Sequence, residues 1–351
     1  MKRLNIMVIF GGCSSEYGVS LESAYGVIGA LNRDRYRPVM VGISKEGDWF
    51  YFDGDIEKIR NDTWLNEKDC APAVLSPNRS EHKLLAMRKE GMEEICIDAA
   101  FPVLHGKNGE DGTVQGLIEL SGIPLVGCGV LASALCMVKD RAHKLVQASG
   151  VRVPEAAVFR QGEAEEVIGE FAERTGYPLY VKPVKAGSSY GVTKVWKEEE
   201  LRGAVALAFQ YDDQIIVEEN IEGFEVGCAV LGKEDLITGE VDEIELSGGL
   251  FDFTEKYTLK TSAIHVPARI SNQKAEEVKK TAKLIYRTLG CSGFARVDMF
   301  LTPEGEIVFN EVNTIPGFTE HSRYPGMMKA AGYSFDKMIE MIIDGAVNAN
   351  E

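Results

Sequence analysis

The chain has no CxxC pair, and its seven cysteines (Cys13, Cys70, Cys96, Cys128, Cys136, Cys228 and Cys291) are scattered and odd in number. That argues against a disulfide framework or a zinc site. With Cys96 and Cys228 inside the apolar runs "EICIDAAF" and "VGCAVLG", it predicts buried free thiols in a reducing compartment. Positive charge is in short supply: 38 Lys and Arg against 54 Asp and Glu leave a net charge of −16. A general nucleic-acid binder needs clustered cations, so no nucleic-acid partner is expected, although a local basic pocket for a small anion is compatible with this balance. No apolar run reaches the ~20 residues of a membrane span. The apolar start "NIMVIF" ends in a glycine turn instead of a cleavage site, so the chain is expected to be cytoplasmic with no membrane partner. Repeats, low-complexity tracts, HExxH, a Ser-His-Asp spacing, a Walker loop and a GxGxxG turn are all missing.

What is present is length and rhythm. A chain of 351 residues exceeds one ordinary core, which predicts two or three domains. "LNIMVIF", a glycine turn, the helical "GVSLESAYGVIGAL" and then "YRPVMVGIS" give the strand–helix–strand order of a parallel sheet. The same order returns at "CIDAAFPVLHG", "GTVQGLIELSG" and "PLVGCG", placing a first α/β domain at about 1–130. "ALCMVKDRAHKLVQASGVRVP" reads as one amphipathic helix closed by Gly150 and Pro154. An α+β segment at about 131–223 and a further lobe at about 224–351 complete the chain. The latter holds strands near 225–247, a helix at "QKAEEVKKTAKLIYRTLG", the hairpin "GFARVDMFLTPEGEIVFNEVNT" and a last helix near 334–346.

Five constellations carry candidate chemistry. Alternation along the hairpin puts Arg296 and Asp298 on one strand face, and Glu311 and Asn313 on one face of the other. Either this is a solvated sheet face, or the oxygens converge on a hard cation such as Mg²⁺ or Mn²⁺, with Arg296 beside them and not needed as their neutraliser. In "YVKPVKAGSSYGVTKV", Lys182 precedes a Gly-Ser-Ser loop that is either a plain turn or an amide nest for phosphates. "IIVEENIEGFEVG" sets Glu218, Glu219 and Glu225 around a turn, either at a solvated edge or at the mouth of a nucleotide pocket. Lys139 stands at a helix end. "GGCSSEYGVSLES" with Glu16, and "FPVLHGKNGEDGTVQG" with His105, Glu110 and Asp111, lie where open α/β sheets bind ligands, beyond strand C-termini.

In this order, along nearly the whole chain, these motifs resemble the ATP-grasp superfamily and, within it, the D-alanine–D-alanine ligases. "LFDFTEKYTLK" and "HSRYP" make the chain most similar to the VanG-like D-alanine–D-serine ligases of vancomycin resistance. The resemblance implies an N-terminal open parallel α/β sheet followed by a two-lobed ATP-grasp fold. It implies ATP as substrate, two Mg²⁺ or Mn²⁺ ions, D-alanine and a second D-amino acid (D-serine or D-alanine), and a homodimer. Asp298, Glu311 and Asn313 would hold metal, and Lys139 and Lys182 would touch phosphates. Glu218, Glu225 and Glu219 would face the nucleoside. Glu16 would hold the first D-alanine beside His105, and Arg296 and the Gly317 N–H would meet the oxyanion. Ser188, Lys256 and Tyr257 would close over the second substrate, and Ser322 and Arg323 would contact it. The chain departs from the family at Val138, where an acid is usual, and at Arg323-Tyr324, where an apolar pair is common. Two other readings of the residues stand beside this one: an ATP-grasp ligase for another carboxylate, and a nucleotide-binding regulator without catalysis.

Overall fold

The computed structural model describes residues 3–163, 165–185, 187, 190–246 and 262–348. The first sheet is built on β1 (Leu4–Gly11), whose residues Ile6 to Phe10 are fully buried. A strand covered on both faces has no polar side, which is why "IMVIF" is a continuous apolar run. Parallel partners flank it: β2 (Tyr36–Ile43) and β7 (Ala99–Pro102). The sheet then runs on antiparallel through β3 (Trp49–Phe52), β4 (Cys70–Leu75), β5 (Lys83–Arg88) and β6 (Gly91–Cys96). Its order is β6-β5-β4-β3-β2-β1-β7. The parallel core matches the βα rhythm of the sequence. The antiparallel extension occupies residues whose charged, mixed character hid their strands.

The second sheet, ordered β10-β9-β11-β8, joins β8 (Ala156–Arg160), β9 (Leu179–Pro183), β10 (Thr193–Val195) and β11 (Gln214–Glu219). The helices Glu165–Thr175 and Glu198–Ala208 cover one side of it. The third contains β12 (Phe224–Leu231), β13 (Ile237–Thr238), β14 (Asp242–Leu246), β15 (Ser262–His265), β16 (Phe294–Leu301) and β17 (Ile307–Asn313). Helix Asn272–Thr288 packs on it through Val278, Ala282, Ile285 and Tyr286. Helices Arg323–Ala330 and Phe335–Asn348 return to the first sheet. Tyr324, Met327, Met328, Ile339 and Ile343 share one core with Phe10, Val27 and Ile28.

Four local expectations change. "PLVGCG" is no strand; only Leu125 bridges to Ala100. The long helix expected from "ALCMVKDRAHKLVQASG" is two helices, Val130–Met137 and Lys139–Ala148, because Val138 leaves helical geometry at φ −98°, ψ 92°. Residues 323–330 form a helix that the sequence reading passed over; Pro325 sits in its first turn, where a missing N–H costs nothing. Cys96, expected buried, is exposed at the end of the edge strand β6, as is Cys13 in its turn, whereas Cys128, Cys136, Cys228 and Cys291 are buried free thiols.

Candidate active site

The β16–β17 hairpin sets the register of the site. Asp298 pairs with Glu311 and Arg296 with Asn313, and a bulge follows Asp298. Bulges re-aim side chains, and this one inserts Asn310, whose carbonyl accepts from His143 Nε2 at 2.9 Å. The four polar side chains do meet on one face. Asn313 Nδ2 lies 2.9 Å from Asp298 Oδ2 and 3.4 Å from Glu311 Oε1, so the amide bridges two carboxylates that would otherwise repel. Arg296, expected only to accompany the group, does neutralise it. Its Nε and terminal nitrogen hold Asp298 at 2.8 and 2.7 Å. Burial works against the Arg296 charge, but Asp298 outweighs it and raises the guanidinium further.

Two carboxylates and an amide that can turn its oxygen inward are the donor class of a hard divalent cation, with positions left for substrate oxygens. Among the described residues no set of three His, Cys, Asp or Glu side chains is gathered for a metal, and here the third donor is the amide of Asn313. The residues fit such an ion once Arg296 yields part of its hold on Asp298.

Across the cleft, β11 pairs with β9 so that Glu218 and Lys182 share a face and form a salt bridge. Both are buried. Burial alone would raise the Glu218 carboxyl, but Lys182, then His143 and more distantly Lys139, outweigh it and hold it below its ordinary value. Lys182 is the mirror case: burial lowers it, and Glu218 with some help from Glu311 raises it. The structure therefore gathers Lys139, Lys182, Glu218 and Glu311 within one field. Strand alternation turns Glu219 the other way, where it accepts from the Glu155 N–H at 3.0 Å and from Arg152 at 3.4 Å. It is not brought to the cleft.

Arg323 lies beneath this face, buried, with Nε on Asp242 at 2.7 Å, a second bond to Asp242 at 2.9 Å and another to Glu225 at 2.7 Å; Asp298 is 3.5 Å away. Beside it, Ser322 Oγ accepts from the Thr319 N–H at 3.1 Å, and a Cβ added at Gly317 would lie 2.9 Å from that oxygen. The segment between Asn313 and Ser322 is gripped by the first sheet's loops. The Ile315 N–H donates to Glu110 Oε1 at 3.0 Å, and the Gly106 N–H donates to Oε2 at 2.9 Å. His105 Nδ1 donates to Ile315 O at 2.9 Å, and its Nε2 lies 3.3 Å from Ser23 Oγ, which accepts the Phe318 N–H at 3.3 Å. Burial lowers the His105 pKa, against the Glu16 charge and the Ile315 bond, which suits a neutral ring in this relay. Glu16 is buried beside them, and a Cβ at Gly187 in the Gly-Ser loop would lie 3.0 Å from its Oε2. Ser188, Lys256 and Tyr257 lie outside the described residues.

Residues 5–128 match the family described as "D-ala D-ala ligase N-terminus", and residues 145–344 match "D-ala D-ala ligase C-terminus". The chain belongs to the D-alanine–D-alanine ligase family. As a member it is an ATP-dependent ligase. It is 54% identical to the VanG D-Ala:D-Ser ligase from Enterococcus faecalis, whose crystal structure superposes with a TM-score of 0.91 over 98% of this chain and 100% of that one. The D-alanine-D-alanine ligase from Coxiella burnetii follows the same fold at 31% identity and a TM-score of 0.88, covering 100% and 95% of the two chains. Among curated relatives, the vancomycin B-type resistance protein VanB of Enterococcus faecalis is 46% identical over 352 residues, 99% of each chain. These ligase-family matches set aside the reading as a nucleotide-binding regulator. No helix among the described residues is long and apolar enough to cross a membrane.

Sequence reasoning assigned no role to Ser23, Glu110, His143 or Asp242. Glu110 stood in a quoted loop, but its partner is 205 residues away. Asp242 and His143 carry no local motif at all.

Proposed function

We propose that this D-Ala–D-X ligase uses D-serine as its second substrate and supplies a D-Ala–D-Ser dipeptide to peptidoglycan precursors in vancomycin resistance. The observation that carries the D-serine assignment is the 54% identity to the VanG D-Ala:D-Ser ligase. The other reading is D-Ala–D-Ala synthesis, which the Coxiella burnetii relative's name supports at lower identity.

In the proposed reaction a carboxylate oxygen of D-alanine attacks the γ-phosphorus of ATP, and ADP leaves. The amine of the second amino acid attacks the acyl phosphate carbon, loses a proton, and the tetrahedral intermediate expels inorganic phosphate. Little covalent chemistry falls to the protein, so positioning and charge do most of the work. Asp298, Glu311 and Asn313 would hold one or two Mg²⁺ or Mn²⁺ ions, which supply charge neutralisation at the phosphates when bound. Lys139 and Lys182 bind phosphate oxygens, Glu218 faces the base and Glu225 the ribose. Glu16 receives the ammonium of D-alanine, with His105 acting on the 315–318 segment from behind. Arg296 and the Gly317 N–H face the developing oxyanion, where one donor is typically worth about 3–4 kcal/mol. Ser322 takes the second carboxylate. Ser188, Lys256 and Tyr257 are proposed as further contacts of the second amino acid.

The test is phosphate release from ATP with Mg²⁺ and D-alanine, with D-serine, and with both. The expected result is strong stimulation only with both. No release with any D-amino acid would overturn the ligase chemistry, and release from D-alanine alone that D-serine leaves unchanged would overturn the D-serine assignment.

A further inference from the structure

Glu16 stands at the N-cap position of the helix Tyr17–Ala30, and its side chain makes no capping bond to that helix. Its carboxylate is closely placed: a Cβ added at Gly106 would lie 2.7 Å from Glu16 Oε2. A small shift of the helix start therefore moves the carboxylate relative to the Gly106 backbone. Two neighbours in the sequence hold that start. Ser14 Oγ accepts the Glu16 N–H at 3.2 Å and donates to His105 O at 2.7 Å, which ties the turn to the adjacent loop. Tyr17 reaches the other way, to Asp62 and Trp64, in a stretch to which the sequence assigned no role.

The bonds around the Tyr17 hydroxyl run in one direction. An indole N–H can only donate, so Tyr17 Oη accepts from Trp64 Nε1 at 2.9 Å and gives its own hydrogen to Asp62 Oδ1 at 2.9 Å. Asp62 also receives Lys45 at 3.2 Å, and the Lys45 ammonium lies 4.5 Å from the centre of the Tyr17 ring. Trp64 is the fixed post. It is fully buried and edge-on to Phe10, with ring centroids 5.0 Å apart. Gly42 leaves the room for it, since a Cβ there would lie 2.3 Å from the indole. In a close-packed core the indole does not shift without displacing its neighbours.

We propose that Tyr17, held by Trp64 and Asp62, is a positioning residue for the first amino acid: it sets the helix start so that the Glu16 carboxylate meets the ammonium of D-alanine. The inference rests on the reading above that places this ammonium at Glu16. Two bonds at the hydroxyl fix where the ring stops, and with it the first turn of the helix. Misplacing a binding group by about 1 Å can cost about 100-fold, so a partial loss of this anchor is felt at the first amino acid before the other substrates.

The experiment separates the three substrates. Phosphate release is measured against D-alanine, D-serine and ATP in turn, with the other two saturating. The proteins are the wild type, Glu16→Gln, Tyr17→Phe, Asp62→Ala, Asp62→Asn and the double variant Tyr17→Phe/Asp62→Ala. Tyr17→Phe is expected to raise the KM for D-alanine about tenfold, with the KM values for D-serine and ATP within about twofold of the wild type. Asp62→Ala should raise the same KM by a smaller factor. The double variant should be no worse than Tyr17→Phe, because both changes break the same bond. Asp62→Asn keeps an acceptor for the hydroxyl and should recover most of what Asp62→Ala loses.

An unchanged KM for D-alanine in Tyr17→Phe would overturn the inference. So would an equal rise in all three KM values with lower stability in denaturant unfolding, which would make Tyr17 a packing residue. If Tyr17→Phe does not fold, Asp62→Ala and Asp62→Asn, at a half-exposed side chain, carry the same comparison. Glu16→Gln tests the reading beneath. A normal D-alanine KM there would overturn the placement of the ammonium, which is distinguishable from a silent Tyr17→Phe beside a Glu16→Gln that raises it.

Discussion

Glu110 accepts the backbone N–H of Ile315 at 3.0 Å, across 205 residues of sequence. His105 takes the carbonyl of the same residue at 2.9 Å, so the first sheet's loop holds both backbone groups of Ile315. Ile315 stands two residues after Asn313 and two before Gly317. The grip therefore fixes the spacing between the proposed metal face and the proposed oxyanion donor. Glu110→Ala is expected to leave the Ile315 N–H unpaired and to lower kcat about tenfold or more, with ATP binding nearly unchanged. Steady-state kinetics beside ATP calorimetry check this; an equal loss in both would place the effect elsewhere.

The same carboxyl gives a pH signature. Burial, then the charge of Glu16, pushes Glu110 up to about 8 against the bonds from Gly106 and Ile315. In the unfolded chain it titrates near 4.3, the ordinary value for glutamate, so between about pH 4 and pH 8 the folded protein keeps a proton that the unfolded chain releases. Its contribution to stability is therefore full below about pH 4 and declines as pH rises toward 8. Glu110→Gln cannot ionise. The stability of the wild type relative to this variant is expected to fall between about pH 5 and about pH 8 in denaturant unfolding. A difference that rises with pH would contradict the assignment.

Glu311→Gln keeps the shape of the hairpin face and removes one of its two carboxylates. Mg²⁺-dependent ATP turnover is expected to fall on the order of 100-fold or more, because a divalent ion supplies several kcal/mol of charge stabilisation. Circular dichroism should show an unchanged fold. Full activity in the variant would refute a metal role for Glu311.

Arg323 is the residue whose sequence-based role the geometry extends most. It was expected to contact the second substrate, and its guanidinium is bound to Asp242 and Glu225 in a buried network. Removing one partner of such a network leaves uncompensated buried charge, so Arg323→Met is expected to destabilise the protein by about 3–5 kcal/mol. Thermal or denaturant unfolding measures it. A change below about 1 kcal/mol would show the arginine to be a surface-like group with little structural weight.

Gly317→Ala tests the last turn. The added Cβ would stand 2.9 Å from Ser322 Oγ, which forces one of them aside. The KM for the second amino acid is expected to rise several-fold, with the KM for ATP unchanged; an effect confined to ATP would contradict the placement of Ser322.

What the sequence made legible was local. The hairpin face of Arg296, Asp298, Glu311 and Asn313 follows from strand alternation alone, and so does the outward turn of Glu219, which strand register could have shown. Lys182 could be seen at the end of an apolar strand. The partners of these residues could not, because they arrive from distant segments: Glu110 on Ile315, Asp242 on Arg323, His143 on the bulge carbonyl of Asn310. The break at Val138 was hidden for another reason. Helical periodicity continues through it, and the break shows only in the backbone angles of Val138.

The most direct measurement is the product formed from ATP, Mg²⁺ and an equimolar mixture of D-alanine and D-serine, read by mass spectrometry. D-Ala–D-Ser is expected as the principal dipeptide. D-Ala–D-Ala as the principal product, with D-serine left unconsumed, would contradict the account.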